Sequence, residues 1–245
     1  KANDAVRVNG ADLRAKVVGE GGNLGMTQLG RVEYALHGGS SNTDFIDNSA
    51  GVDTSDHEVN IKILLNGQVR AKKLTLPARN KLLAEMAGDV SELVLGNNYK
   101  QTQALSQAQH RSRERASEYV RLINALEASG QLDRALEFLP SDEALAERAN
   151  IGKGLTRPEL SVLISYSKIE LKKALLDSRV PDDDYLAREM ETAFPQQLVE
   201  RFRGAMLQHR LKREIIATAV TNSTINRMGA TFLMRMQEDS GRSIG

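Results

Sequence analysis

Cysteine is absent from the 245 residues. That removes disulfides, thiolate nucleophiles and zinc–thiolate centres together, and it suits a reducing cytoplasm. A dominant charge is missing as well: 33 basic and 32 acidic side chains leave a net charge of +1. No global field therefore favours nucleic acid or an anionic membrane. No apolar run is long enough to span a bilayer, no signal-peptide pattern opens the chain, and no fixed-period repeat or low-complexity segment interrupts it. Aromatic residues make up only 4% of the chain. The polar stretch at 110–115 lacks the aromatic interleaving of a nucleic-acid patch and reads as a solvated helix face. His37, His57, His110 and His209 share no metal-ligand spacing, and no Ser-His-Asp set can be placed. The first residue is Lys1 and not methionine, so the chain is expected to be a piece of something larger.

What is present, 40% hydrophobic and 27% charged residues, suits one large domain or two small ones. Two short apolar runs stand out near the start. Ala15-Lys16-Val17-Val18 closes on Gly19-Glu20-Gly21-Gly22-Asn23, and Thr43-Asp44-Phe45-Ile46 closes on Asn48-Ser49-Ala50-Gly51. Between them Met26, Leu29, Val32, Ala35 and Leu36 recur at helical spacing, so the unit reads strand, helix, strand. Parallel strands so joined would carry both glycine-bearing loops to one sheet edge, where α/β folds bind ligands. The first loop is not the dinucleotide phosphate fingerprint, because Leu24 occupies the position of the third glycine. It reads either as a tight turn capped by Asn23 or as a loop in which Gly21 and Gly22 let the backbone approach a ligand and Asn23 supplies a donor and an acceptor. The second loop leads into Thr54-Ser55-Asp56-His57, read as the amino end of a helix. That end either is simply capped or holds an anion through free amides and the Thr54 or Ser55 hydroxyl.

Beyond about residue 75 the texture turns helical. The spacing predicts a helix over 77–95 stopped by Gly96-Asn97-Asn98, and another over 101–128 interrupted by the polar stretch at 110–115. Ser141 should cap a short helix ending near Arg148. Thr156-Arg157-Pro158-Glu159 has the form of a capping box and should start a helix with Leu160, Leu163, Ile164, Ile169, Leu171 and Leu175 inward. Further helices are expected over 181–192, with Asp182, Asp183 and Asp184 decorating its start, over 196–220 with a break near Asn222-Ser223, and around Ile225 to Met236. Leu82, Leu83, Met86, Leu160, Leu163, Ile164, Phe202, Ile215, Ile216 and Phe232 should be largely buried.

Glu20-Gly21-Gly22-Asn23, Asn48-Ser49-Ala50-Gly51-Val52 and Ser55 together resemble the second half of the NAD-binding domain of glutamate dehydrogenases. The fuller stretch over 16–62, including Thr27-Gln28-Leu29-Gly30-Arg31 and Asp44-Phe45-Ile46-Asp47-Asn48, is similar to the large bacterial NAD-specific members, which carry an extra helical carboxyl-terminal region. The sequence departs from the small members in having Gly22 in place of alanine and Ala50 in place of a glycine. The resemblance implies an α/β plus all-α fold: residues 1–75 as the second half of a Rossmann-like NAD-binding domain, and residues 76–245 as a helical carboxyl-terminal domain. It implies NAD as cofactor, met by Gly21, Gly22, Asn23, Asn48 and Gly51, and L-glutamate and 2-oxoglutarate as substrate and product, with Ser55 nearest the substrate. It also implies the remainder of a longer parent chain as partner, a homo-oligomer, a cytoplasmic location, and no role for nucleic acid, membrane or metal. The family's catalytic lysine and aspartate have no counterpart here, so no catalytic residue is expected and the chain alone should be inactive. Two other readings remain open: a different nucleotide-dependent α/β enzyme such as a methyltransferase, and a helical interaction or regulatory module.

Overall fold

A computed structural model describes residues 4–22 and 25–242. Among the described residues there are eleven α-helices and no strand. They are α1 (Gln28–Leu36), α2 (Asp44–Asp47), α3 (Ser49–Arg70), α4 (Leu76–Glu85), α5 (Ala87–Arg111), α6 (Ala116–Ala128), α7 (Asp142–Asn150), α8 (Arg157–Asp177), α9 (Gln196–Met206), α10 (Lys212–Met228) and α11 (Phe232–Ser240).

The fold is all-α, which corrects the expectation of an α/β plus all-α protein with a Rossmann-like half. The expected pairing shrinks to one parallel bridge, Val17 with Ser40, closed by Val18 N–H to Ser40 O at 2.9 Å and Ser40 N–H to Lys16 O at 3.0 Å. A single bridge cannot propagate a ladder, and Val17 is left 71% exposed. The run at 43–46 is not a strand either. Asp44 and Asp47 stand three apart around only two apolar residues, and Thr43 precedes a helical turn, with Asp47 N–H on Thr43 O at 3.1 Å.

The chain divides into two compact units. The first comprises Lys1–Asn48, Thr102–Lys168 and Arg227–Arg242; the second is built from Ser49–Gln101 and Ile169–Asn226. In the first, α1 starts at Thr27, whose hydroxyl accepts from Gly30 N–H at 3.1 Å, and stops at Gly38-Gly39. Gly38 takes φ +93°, a left-handed conformation that glycine adopts without strain. At Gly39 a Cβ would fall 2.2 Å from the Tyr34 ring, so only glycine lets the chain turn over that buried side chain towards Ser40. Leu105, Leu122, Ile123, Leu126, Leu160, Leu163 and Ile164 are among the best-buried apolar positions of this unit.

The start of α8 departs from a plain capping box. Glu159 does reach back to Thr156 N–H at 2.7 Å, but the Thr156 hydroxyl donates to the same carboxylate at 2.7 Å. Arg148 at the end of α7 clamps both Glu159 oxygens at 2.9 Å, so the fully buried carboxylate is met by a cation and two hydrogen bonds. Within α8, Ile169, expected inward, is 60% exposed.

In the second unit Ile61, Leu64, Leu65, Leu82, Met86, Met190, Phe194, Leu198, Ile215 and Ile216 make one core. Leu83 and Phe202 are only partly buried against it, and Phe232 in the first unit is likewise half-buried. Gly96-Asn97-Asn98 does not stop a helix, because α5 runs through it to Arg111. Glycine inside a helix costs about 1 kcal/mol relative to alanine, and here tertiary hydrogen bonds at both asparagines, Asn97 donating to Asp53 and Asn98 accepting from Ser49, offset that cost. The break before it falls at Met86 instead, which is buried at the end of α4. Over the stretch expected as one helix at 181–192 the backbone makes two 3₁₀ helices, Val180–Asp182 and Asp184–Ala193, with the extended Asp183 between them accepting from Tyr185 N–H at 2.8 Å and Asp182 paired with Arg213.

The helix expected over 196–220 ends at Met206, and its successor passes unbroken through Asn222-Ser223. His209 makes that break. Its Nδ1 accepts from Leu211 N–H and its Nε2 faces Asn60 O, both at 3.1 Å, which fixes a neutral ring with the proton on Nε2. The Phe194 ring packs edge-on against it at 5.9 Å.

Two measurements test this packing. Leu163→Ala empties a fully buried position and should cost about 2–5 kcal/mol in chemical unfolding; Ile169→Ala on the same helix should change stability by less than about 0.5 kcal/mol. Burial holds the His209 imidazole below the ordinary histidine value of 6.5. The folded state thus binds a proton less readily than the unfolded chain, and stability is full above pH 6.5 and lost as pH falls through the folded-state value. The unfolding midpoint should drop between about pH 7.5 and about pH 5.5, and His209→Gln should flatten that dependence.

Candidate functional site

Within the first unit the loop ending Glu20-Gly21-Gly22 lies against the carboxyl end of α2. Glu20 N–H donates to Asp47 Oδ2 at 3.0 Å, and a Cβ on Gly21 would meet Asp47 O at 3.9 Å. The organiser is Arg31, from the inward side of α1 and only 1% exposed. Its Nη2 donates to Glu20 Oε2 at 3.0 Å, and its Nη1 to Asn42 O at 2.9 Å and Asp47 Oδ2 at 3.4 Å. Asn42 Nδ2 closes the ring on Asp47 Oδ1 at 2.7 Å and passes the network to Arg157, whose Nε donates to Asn42 Oδ1 at 2.5 Å. Arg157 is anchored in turn on Ser106 Oγ at 2.9 Å and Thr102 O at 3.1 Å. Burial pulls its guanidinium below the usual value, and the Asp47 carboxylate opposes that shift.

The first loop and the turn that delivers Asn48 are therefore neighbours. Asn48 ends α2, its N–H on Asp44 O at 2.9 Å, and its half-buried side chain makes no hydrogen bond among the described residues. Gly21 and Gly22 do not have positive φ. The Gly22 Cβ would meet the Glu20 carboxylate at 3.0 Å. No other described atom comes so near either position, which leaves room for another group to approach the backbone. Asn23 lies outside the described residues.

In the second unit, Gly51 and Ser55 occupy exposed positions of α3. The helix begins at Ser49, so residues 52–56 are not its amino end as the sequence suggested. The first-turn amides belong to the turn holding Gly51, while the Thr54 and Ser55 hydroxyls donate back to Ala50 O at 2.7 Å and Gly51 O at 3.2 Å. Deeper in α3, the buried His57 ring meets Ala193 O through Nδ1 at 2.9 Å, and Asn97 Nδ2 lies 2.9 Å from Asp53 Oδ2 and 3.4 Å from His57 Nε2. Ser49 Oγ donates to Asn98 Oδ1, and Gln101 Nε2 donates to Ser49 Oγ at 3.4 Å. None of these partners, nor Arg31, Asp47 or Asn42, was given a role in the site by the sequence, although Arg31, Asp47, Ser49 and His57 stand inside its motifs. The usable signal was a charged residue, Arg31, on the stripe that also carries Gln28 and Ala35.

Residues 1–108 match the family of the bacterial NAD-glutamate dehydrogenase catalytic domain, and residues 152–245 match the glutamate dehydrogenase C-terminal family. Both matches are to glutamate dehydrogenase families, one at each end of the chain. A Pseudomonas aeruginosa protein named NAD-specific glutamate dehydrogenase is 68% identical over 99% of this chain. Namesakes from Halomonas elongata and Mycobacterium tuberculosis are 56% and 44% identical, each over 98% of it. The chain spans about 15% of the length of these relatives.

Removing the organiser should expose its role. Arg31→Met leaves two carboxylates facing each other without their cation and should cost about 3–5 kcal/mol of stability. Arg31→Lys, which keeps charge but not the fork, should recover only part of that loss in urea unfolding.

Proposed function

We propose that this chain serves, as part of a longer cytoplasmic and homo-oligomeric protein, in the NAD-dependent oxidation of L-glutamate to 2-oxoglutarate and ammonium. The reading rests on the family matches, and within the structure on one observation: the Arg31 network sets the Glu20-Gly21-Gly22 loop beside the Asp47-Asn48 turn. In this reading residues 1–75 contribute the cofactor and substrate contacts and residues 76–245 form the helical domain.

Bound NAD supplies the hydride acceptor. Gly21 and Gly22 admit its close approach to the backbone, and Asn23 and Asn48 offer amide donors and acceptors that orient nicotinamide and ribose. Gly51 presents an amide in the first turn of α3, where anions are favoured. Ser55 would hold the substrate carboxylate, its hydroxyl turning from Gly51 O. No residue of this chain is assigned to proton transfer, so the chain alone turns over no glutamate. Nucleic acid, membrane and metal have no part in the scheme.

Steady-state kinetics of the full-length protein tests these assignments. Asn48→Ala removes a donor and an acceptor from a desolvated contact, worth about 1–3 kcal/mol, so kcat/KM should fall roughly tenfold or more with the fold intact. Ser55→Ala should raise KM for glutamate and leave that for NAD unchanged. Unaltered glutamate kinetics would remove Ser55 from the site.

A further inference from the structure

The first unit holds a cavity of about 180 Å³ whose lining, Arg31 apart, none of the roles above uses. Phe45 of α2 and Leu136 and Phe138 of the turn before α7 form apolar walls. All three are unusually exposed for their type, Leu136 at 71% and the two phenylalanines above 40%. Phe138 also takes φ +54°, a left-handed conformation that costs an aromatic residue about 1 kcal/mol or more, and such strain gathers at ligand sites.

Two carboxylates line the same cavity, Asp44 and Glu137. Asp44 uses Oδ1 for Phe45 N–H at 2.8 Å and the Thr43 hydroxyl at 3.2 Å. Glu137 uses Oε1 for the Tyr166 hydroxyl at 2.7 Å, a bond that pushes the phenol up to about 12 and pins the carboxylate in place. The second oxygen of each has no hydrogen-bond partner among the described residues. Arg31 is the one cation in the lining, and Glu20 and Asp47 already meet its charge. What remains is a slot with apolar and polar walls in about equal share and uncompensated negative charge. Its size suits one side chain more than a cofactor.

We propose that this cavity is a docking pocket for an arginine side chain carried on a protein segment outside these residues, its alkyl stem between Phe45 and Phe138 and its guanidinium shared by Asp44 and Glu137. Charge complementarity selects the cation. The exposed apolar walls select a stem flanked by apolar neighbours and not a bare ion.

Nuclear magnetic resonance titration of the 245-residue chain with three blocked peptides, acetyl-Leu-Arg-Leu-amide and its norleucine and glutamate counterparts, tests this directly. The arginine peptide should give saturable shifts at Phe45, Leu136 and Phe138. The norleucine peptide should bind at least about tenfold more weakly, and the glutamate peptide should give none. Asp44→Asn with Glu137→Gln, which keeps the Phe45 and Tyr166 hydrogen bonds available, should erase the preference for arginine over norleucine. Phe138→Gly relieves the backbone strain, so it should weaken binding without lowering the unfolding midpoint. Equal affinity for the arginine and norleucine peptides, shifts located elsewhere, or a preference that survives the double substitution would each overturn the proposal.

Discussion

Arg31 is the constraint on which the first unit turns. A guanidinium taken out of water is stable only where opposite charge and acceptors surround it, and here two carboxylates and a main-chain carbonyl do so. Those acceptors come from separate stretches: the loop after residue 18, the turn at Asn42, and the end of α2. Satisfying one buried cation therefore fixes three pieces of backbone, and through Asn42 it engages Arg157 at the start of α8 as well. The planar fork of arginine is what allows this, since a point charge could not address acceptors in different directions at once.

The second unit uses a seam of polar side chains in the same manner. Asn97, Asn98 and Gln101 on α5 face Ser49, Asp53 and His57 on α3, with Ala193 O closing the far side of the histidine. Such a seam is costly if half satisfied and specific when complete. It sets the register of α3, and so determines that Gly51 and Ser55 lie on the exposed side. His209 plays a comparable part where α9 ends, bonding a freed amide and the Asn60 carbonyl with its two ring nitrogens.

Family likeness and geometry bear on different questions. The 68% identity along nearly the whole chain speaks to ancestry. The arrangement of Glu20, Arg31 and Asp47 speaks to why the glycine loop and Asn48 share one neighbourhood. The carboxylate-lined cavity between Phe45 and Phe138 belongs to neither account, and its chemistry calls for a cation with an apolar stem.

The helical character beyond residue 75 and most of its inward positions were legible in the sequence, because a stripe of leucine, isoleucine and methionine at helical spacing has few other ways to leave water. Ser141 as a cap and Glu159 reaching back to Thr156 were legible for the same local reason: a free amide is best met by the nearest acceptor. The strand pattern at 15–18 and 43–46 was misleading. A strand is completed by neighbours far away in sequence, and here only the Val17–Ser40 bridge forms while Thr43-Asp44 opens a helical turn. Helix ends went wrong at Gly96 and at residues 52–56, where α3 and α5 answer each other through Asp53, Ser49 and Asn98, and at Asn222-Ser223, because the break falls earlier, at His209. Periodicity reports which face of a segment avoids water. Where that segment stops, and which buried charge it must answer, is decided only when the other segments arrive.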